Sequence, residues 1–314
     1  MTQAAVPTRR QVWVGMLLYP AHTLPTTLAP VLVASGLAWR MHLFAPLYAM
    51  LALLSGWCIH LGGVFTDNYF NLRRHADDEE HADFVAAVRS GVVSLRHLRL
   101  AILGCYGLAA VAALPLLSAG GIPVLLFGIV AAAASVAYSA GPFPLGDHAL
   151  GDALFFTFFG TAAVTGAFYV QAAAVLGAPP GIALVPGVLT PDILWASLPV
   201  SALTTNVLII DNIRDLEYDR GKGEHTLAVV IGARWSRIEY GLLSLLAYVV
   251  PIALWRSGRF GAAVLLPLLS LPAAIALGRE LRRRRTHDEL VPMTPRAAAL
   301  SLGFALLLAT GLAA

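Results

Sequence analysis

Residues 211–226 read Asp211-Asn212-Ile213-Arg214-Asp215-Leu216-Glu217-Tyr218-Asp219-Arg220-Gly221-Lys222-Gly223-Glu224-His225-Thr226, and they follow directly on the apolar run Ile193 to Ile210. A helix that begins in hydrocarbon therefore ends in carboxylates. Asp211, Asp215 and Asp219 recur four residues apart, which sets them along one helical face as a stripe of acceptor oxygens. Such close like charges repel one another. An oxygen-rich stripe suits Mg2+, and Mg2+ is what a diphosphate needs. The ordinary alternative is a solvated helix end in which Arg214, Arg220 and Lys222 balance the acids.

A second acidic stretch decides between the two. It reads Asp67-Asn68-Tyr69-Phe70-Asn71-Leu72-Arg73-Arg74-His75-Ala76-Asp77-Asp78-Glu79-Glu80-His81 and also closes an apolar run. Asp67 and Asn71 share a helical face, and Asp77 follows where the helix gives way to a loop. Of the 18 acidic residues, six fall within 67–83 and five within 211–224, so the negative charge is concentrated at these two places. Ionisable residues beside a bilayer are costly and functional by default. Two facing oxygen clusters with arginines between them suit a metal-bridged diphosphate, whose charge the metal neutralises while arginines take the remaining oxygens.

The composition places these clusters in a membrane protein. Hydrophobic residues make up 58% of the chain and charged residues 12%, and the mean hydropathy is +0.74, outside the range of soluble domains. A crossing needs roughly 20 apolar residues. Nine segments qualify, at about 12–37, 44–66, 97–118, 121–138, 149–176, 192–213, 236–256, 259–280 and 295–313. The first holds Pro20, Pro25 and Pro30 and is expected to kink or break there. With the N-terminus inside, 18 Lys and Arg residues lie on the inner side and only Arg40, Arg256 and Arg259 on the outer, as the positive-inside rule requires. The expected fold is thus an all-α integral membrane protein. Nine transmembrane helices surround a central cavity, the N-terminus is cytoplasmic, and residues 1–314 form one domain. The active site opens to the cytoplasmic side of the cytoplasmic membrane.

Other features are read in that frame. The start Thr8-Arg9-Arg10 leads into an apolar segment without a small-residue cleavage site, so no signal peptide is expected. The isoelectric point near 9.0 comes from bases set between hydrophobic segments, which orient the chain in lipid rather than bind nucleic acid. The Arg282–Arg285 run offers an anionic-lipid patch or plain positive-inside anchoring. Cys58 and Cys105 lie inside apolar runs and read as core residues, not as a disulfide or a metal pair. The segment 177–191 is an outer connector without chemistry.

Two Asp-rich helix ends, after the second and sixth of nine helices, resemble the UbiA superfamily of intramembrane prenyltransferases. The likeness is closest to the MenA branch, which prenylates 1,4-dihydroxy-2-naphthoate in menaquinone biosynthesis. Residues 211–232 resemble that branch's second motif. Tyr138-Ser139-Ala140-Gly141-Pro142-Phe143-Pro144, Leu150-Gly151-Asp152 and 155–171 resemble its central loop and fifth helix, and His22-Thr23-Leu24-Pro25 with Ala29-Pro30-Val31-Leu32 resembles its first helix. The resemblance implies Mg2+ as cofactor, an isoprenyl diphosphate donor and an aromatic acceptor. It implies Asp215 and Asp219 as metal ligands, joined by Asp67 and Asn71, with Asp77 and Asp211 as further candidates. The sequence also departs from the pattern. Asp67-Asn68-Tyr69-Phe70-Asn71 stands where Asn-Asp-x-x-Asp is usual, Asp211 replaces a common Asn, Glu224-His225 replaces a basic pair, and Asp147 takes the place of an aromatic.

Arg74, Arg214 and Lys222, the only lysine, are the candidate diphosphate ligands. Helix capping is the alternative for Arg214, and a solvated loop position for Lys222. Tyr138 heads the Ser-Ala-Gly-Pro loop, either facing an allylic cation or sitting in an interfacial belt. Phe155, Phe156, Phe158, Phe159, Phe168 and Tyr169 suit a prenyl chain and its cation, though core packing accounts for each taken singly. His60, seven residues before Asp67, reads as a packing histidine before a proton acceptor. The function that results is Mg2+-dependent transfer of an isoprenyl group to an aromatic ring. The rival enzyme is a terpene cyclase of the same superfamily, which needs no acceptor. A transporter is the rival from another class, and it would place carboxylates near helix midpoints.

Overall fold

The computed structural model describes residues 23–74, 90–177 and 181–314; Asp77 and Pro20 lie outside them. The helices, in order, are α1 (Thr23–Arg40), α2 (Pro46–Arg74), α3 (Leu95–Gly120), α4 (Ile122–Ser139), α5 (Gly151–Leu176), α6 (Pro191–Arg214), α7 (Leu216–Lys222), α8 (Leu227–Arg256), α9 (Ala262–Arg283), α10 (His287–Leu290) and α11 (Met293–Ala313). Among the described residues, eight helices are long and apolar enough to cross a membrane. They match the second to ninth sequence segments in order. The first segment supplies α1, 18 residues that run on through Pro30 as one helix.

Helices dominate because lipid offers backbone polar groups no partner, so each span must satisfy its own. Helix starts are marked locally. Ser94 caps α3 in a capping box with His97, and Pro191 opens α6 where its missing N–H costs nothing. Small residues let the spans approach closely, as helix association in lipid requires. A Cβ on Gly36 of α1 would sit 2.4 Å from the Ala309 carbonyl oxygen of α11, and one on Gly160 of α5 would sit 2.3 Å from Cα of Ser201 on α6. Pro191–Arg214 is the central span, with 78% of its apolar window buried. Cys58 and Cys105 are free.

Three local features bear on the site. Helix α2 continues past residue 66 to Arg74, and its polar side chains bond back to the preceding turn: Thr66 to the Gly62 carbonyl at 2.7 Å and Asn68 to that of Val64 at 3.0 Å. In α5, residues Phe155–Ala162 form a π-helical stretch, a wide turn of the kind found at functional sites. The stripe at 211–219 is also not one unbroken helix. The chain leaves helical geometry at Asp215 (φ −94°, ψ 2°) between α6 and α7. The bonds from Asp215 N–H to Asp211 C=O and from Asp219 N–H to Asp215 C=O, both 2.9 Å, still carry the register across the break.

Candidate active site

A cavity of about 330 Å³ runs inside the bundle between α1, α2, α3, α4, α5 and α6. Its walls are mostly apolar, and at one end it meets Asp67, Tyr138 and Ser139. The π-helical stretch turns Phe155, Phe158 and Phe159 onto the lining. Phe155 and Phe159 stack at 4.5 Å, His60 lies 4.4 Å from Phe159, and Tyr138 lies 6.2 Å from Phe155. Four rings thus line one path that ends at a carboxylate. His60 also bonds Thr27 at 3.2 Å. The rest of the aromatic set does other work. Phe168 is fully buried in the core, and Tyr169 donates to the Gly120 carbonyl at 3.2 Å and accepts from Val185 N–H at 3.3 Å. Phe156 packs against the core as well.

The first cluster is held from two helices. Ser139, at the end of α4, donates to Asp67 at 2.7 Å, and Asn71 donates its amide to the other Asp67 oxygen at 3.2 Å. The carbonyl oxygen of Asn71 takes no part in that bond. Arg74, one turn further, pairs with Asp147 at 2.7 Å and donates to the Ser139 carbonyl at 2.8 Å. The loop between α4 and α5 is therefore stitched to the end of α2.

The second cluster divides at the helix break. On one side, Arg214 holds Asp215 in a fork, with Nε 2.7 Å from Oδ1, and its remaining nitrogen reaches Asp211 and the Thr294 hydroxyl of α11. Thr294 also donates to Asp211, and His287 Nδ1 lies 3.3 Å from Asp215. On the other side, buried Asp219 accepts from the Thr226 hydroxyl at 3.1 Å, and its carbonyl takes the Glu224 N–H at 2.9 Å. The next N–H, of His225, bonds the Asp147 carbonyl at 2.9 Å. The two loops that carry the departures of the sequence thus meet.

Glu224 shows the field at this junction. Burial pushes its carboxyl up, to about 8; Asp147, Asp219 and Asp67 push the same way, and Lys222 opposes them. One group feels carboxylates from both clusters, so the clusters lie within electrostatic reach of one junction. The oxygen donors and the excess of negative charge fit a hard divalent cation. Among the described residues, no three His, Cys, Asp or Glu side chains gather closely enough to hold one by themselves. Sequence reasoning did not single out Ser139, Thr294 or His287 as site residues. Asp152, buried on α5 and bonded by Asn212 at 3.1 Å, was visible only as part of a motif.

These features define a helical membrane protein with an apolar cavity that ends beside carboxylates. The profile of the UbiA prenyltransferase family matches residues 27–293; the chain belongs to that family and is a prenyltransferase. It is 28% identical over 301 residues to 1,4-dihydroxy-2-naphthoate octaprenyltransferase of Escherichia coli, spanning 94% of this chain and 91% of that one. It is 29% identical over 268 residues to human UbiA prenyltransferase domain-containing protein 1, spanning 82% and 71%. Two solved structures show the same fold. A UbiA homologue from Aeropyrum pernix K1 covers 91% of this chain and 96% of its own at TM-score 0.67 and 16% identity. One from Archaeoglobus fulgidus bound to GPP and Mg2+ covers 94% and 98% at TM-score 0.61 and 16% identity.

Proposed function

We propose that the protein transfers an isoprenyl group from an isoprenyl diphosphate to a hydroxylated aromatic ring, in a reaction that needs Mg2+. One observation carries this: an apolar, ring-lined cavity that ends at Asp67, with the second carboxylate cluster joined to the same rim. The relatives named as 1,4-dihydroxy-2-naphthoate octaprenyltransferases and the archaeal homologues bound to DMAPP or GPP with Mg2+ support it. Asp67, Asn71, Asp215 and Asp219 would hold the metal, with Asp211 and Asp77 as further candidates, and Arg74, Arg214 and Lys222 would serve the diphosphate end. Bound there, Mg2+ neutralises diphosphate charge and makes it a better leaving group.

The chain's own residues do the rest. The apolar walls take the prenyl tail and exclude water from the reacting carbon. The faces of Tyr138, Phe155, Phe159 and His60 offer electron density to positive charge developing there. The donor C1–O bond breaks with its electron pair leaving on the diphosphate. A ring carbon of the acceptor forms the new C–C bond and then gives up its proton, or CO2 where that carbon bears a carboxylate. The positive-inside pattern supports a rim that opens to the cytoplasm, and 1,4-dihydroxy-2-naphthoate, named for the relatives, is the first acceptor to test.

The purified chain, given geranyl diphosphate and acceptor, should release pyrophosphate only with a divalent metal. Asp215→Ala and Asp219→Ala should each lower this at least about a hundredfold. Full activity in both variants would end the metal assignment. Cyclic product from the donor alone would instead identify a cyclase.

A further inference from the structure

The arginines around the end of α9 divide by what they bond. Arg237 of α8 spends all three nitrogens on carbonyls, donating to Leu281 at 2.9 Å and to Ala233 and Arg284 at 3.1 Å each. Glu280 takes Arg284 at 3.0 Å and Arg296 of α11 at 2.6 Å. The Glu289 carboxylate accepts the backbone N–H groups of Arg285 and Thr286. The side chains of Arg279, Arg282, Arg283 and Arg285 are all exposed, and none has a carboxylate partner among the described residues. Arg234, exposed about one turn before Arg237, is a fifth. Asp288 on α10 is exposed as well and pairs with none of them.

These side chains continue an apolar face. In the stretch Leu271–Arg283 the buried residues are Ala274, Leu277 and Leu281, three and four apart, which turn toward the bundle. The other side carries the exposed Leu271 and Ile275, then Arg279 and Arg282, again at helical spacing. From Ile275 to Arg282 the helix rises about 10 Å, the step from acyl chains to headgroups. Exposed Trp235 beside Arg234 marks the same interface. His287, 3.3 Å from Asp215, puts this corner at the carboxylate end of the bundle. We infer that this face holds an anionic phospholipid, with an acyl chain along Leu271 and Ile275 and the phosphate at Arg279 and Arg282. Arginine forks match phosphate oxygens, and Arg283, Arg285 and Arg234 add to the local positive potential. Anchoring by charge alone would not require the arginines to share a face with lipid-facing apolar residues. The cavity draws its lining from α1 to α6, so this surface is separate from it and the inference does not rest on the transfer reaction.

The test uses the full chain in a nonionic detergent, with phosphatidylglycerol or phosphatidylcholine of the same acyl chains added back. Native mass spectrometry counts the lipid retained, and intrinsic fluorescence reads Tm. Phosphatidylglycerol should be retained roughly tenfold better than phosphatidylcholine and should raise Tm more. Both differences should shrink as salt rises. Arg279→Gln with Arg282→Gln should weaken retention of phosphatidylglycerol roughly thirtyfold. The Tm without lipid should hold, because the one bond of this pair, from Arg282 to the Gly278 carbonyl, stays within its own helix. Arg283→Gln with Arg285→Gln should give a smaller loss in the same direction, and serves as a second probe should the first pair fold poorly. Arg256→Gln, at the other end of α8, should leave the preference intact. Equal retention of the two lipids, a preference that survives all four substitutions, or one that Arg256→Gln also removes would overturn the inference. Inorganic phosphate that matched the Tm gain from phosphatidylglycerol would overturn it too, by showing an anion site that needs no acyl chain.

Discussion

Replacing Arg214 by Met keeps the length of the side chain and removes its charge and its fork. In the structure, that fork holds Asp215, and the third nitrogen reaches Asp211 and Thr294. The side chains are only 12% exposed at Arg214, 11% at Asp215 and 17% at Asp211, so this is a buried network and not a surface pair. Breaking a buried pair by removing one partner costs about 3–5 kcal/mol. The lower end applies, because Asp211 keeps the Thr294 hydroxyl. At ~2–4 °C per kcal/mol for a chain of comparable size, Tm should fall by roughly 6–12 °C. Intrinsic fluorescence of the purified protein in detergent reads this directly. Arg214→Lys keeps the charge but not the bidentate geometry, and should fall between. Asp215→Asn placed on Arg214→Met should recover part of the loss, giving a coupling of about 1–3 kcal/mol. An unchanged Tm would refute this account, because the guanidinium would then not be holding the chain's own carboxylates.

Gly160→Ala would place a methyl 2.3 Å from Cα of Ser201, so α5 and α6 must separate; folded yield should drop and Tm should fall by at least the equivalent of about 2 kcal/mol. Phe159→Leu removes the ring stacked at 4.5 Å on Phe155 and lying 4.4 Å from His60; kcat should fall about tenfold, as the loss of a desolvated cation–π contact predicts, with pyrophosphate release as the readout. Asn71→Asp sets a carboxylate where the amide now donates to Asp67 at 3.2 Å. Without metal its Tm should therefore fall, and Mg2+ should raise the Tm of this variant more than that of the unaltered protein.

Spans two to nine were readable because bilayer thickness fixes the length of an apolar run, and length is a property of sequence. The polar ends were less legible. Helix α2 runs on from its apolar stretch to Arg74, as a shared face for Asp67 and Asn71 requires, but the break at Asp215 leaves no mark in the four-residue spacing. The π-helical stretch at Phe155–Ala162 leaves no mark in a run of aromatics, so Phe155, Phe158 and Phe159 could not be separated from Phe156, Phe168 and Tyr169 beforehand. Asp67, Asn71, Asp215 and Asp219 stood out as acids and amides beside lipid. Ser139, Thr294 and His287 did not, since each matters only through a partner distant in sequence.

Spacing alone makes Asp211, Asp215 and Asp219 equivalent, and the break at Asp215 makes them different. Asp211, Arg214 and Asp215 are tied to α10 and α11 through Thr294 and His287. Asp219, Glu224 and His225 are tied to the loop after α4, and through Arg74 and Ser139 to Asp67 on α2. The stretch is thus a joint between two parts of the bundle, one half tied to α10 and α11 and the other to the loop after α4. On the proposed chemistry, Asp67 and Asp219 would both help hold the metal. Asp219→Asn should then lose turnover while Tm holds, because Asp219's backbone bonds survive the change. Asp211→Asn should lose Tm before turnover, because its carboxylate answers Arg214 and Thr294. If both substitutions acted on turnover alone, with Tm untouched, the joint would have only one side.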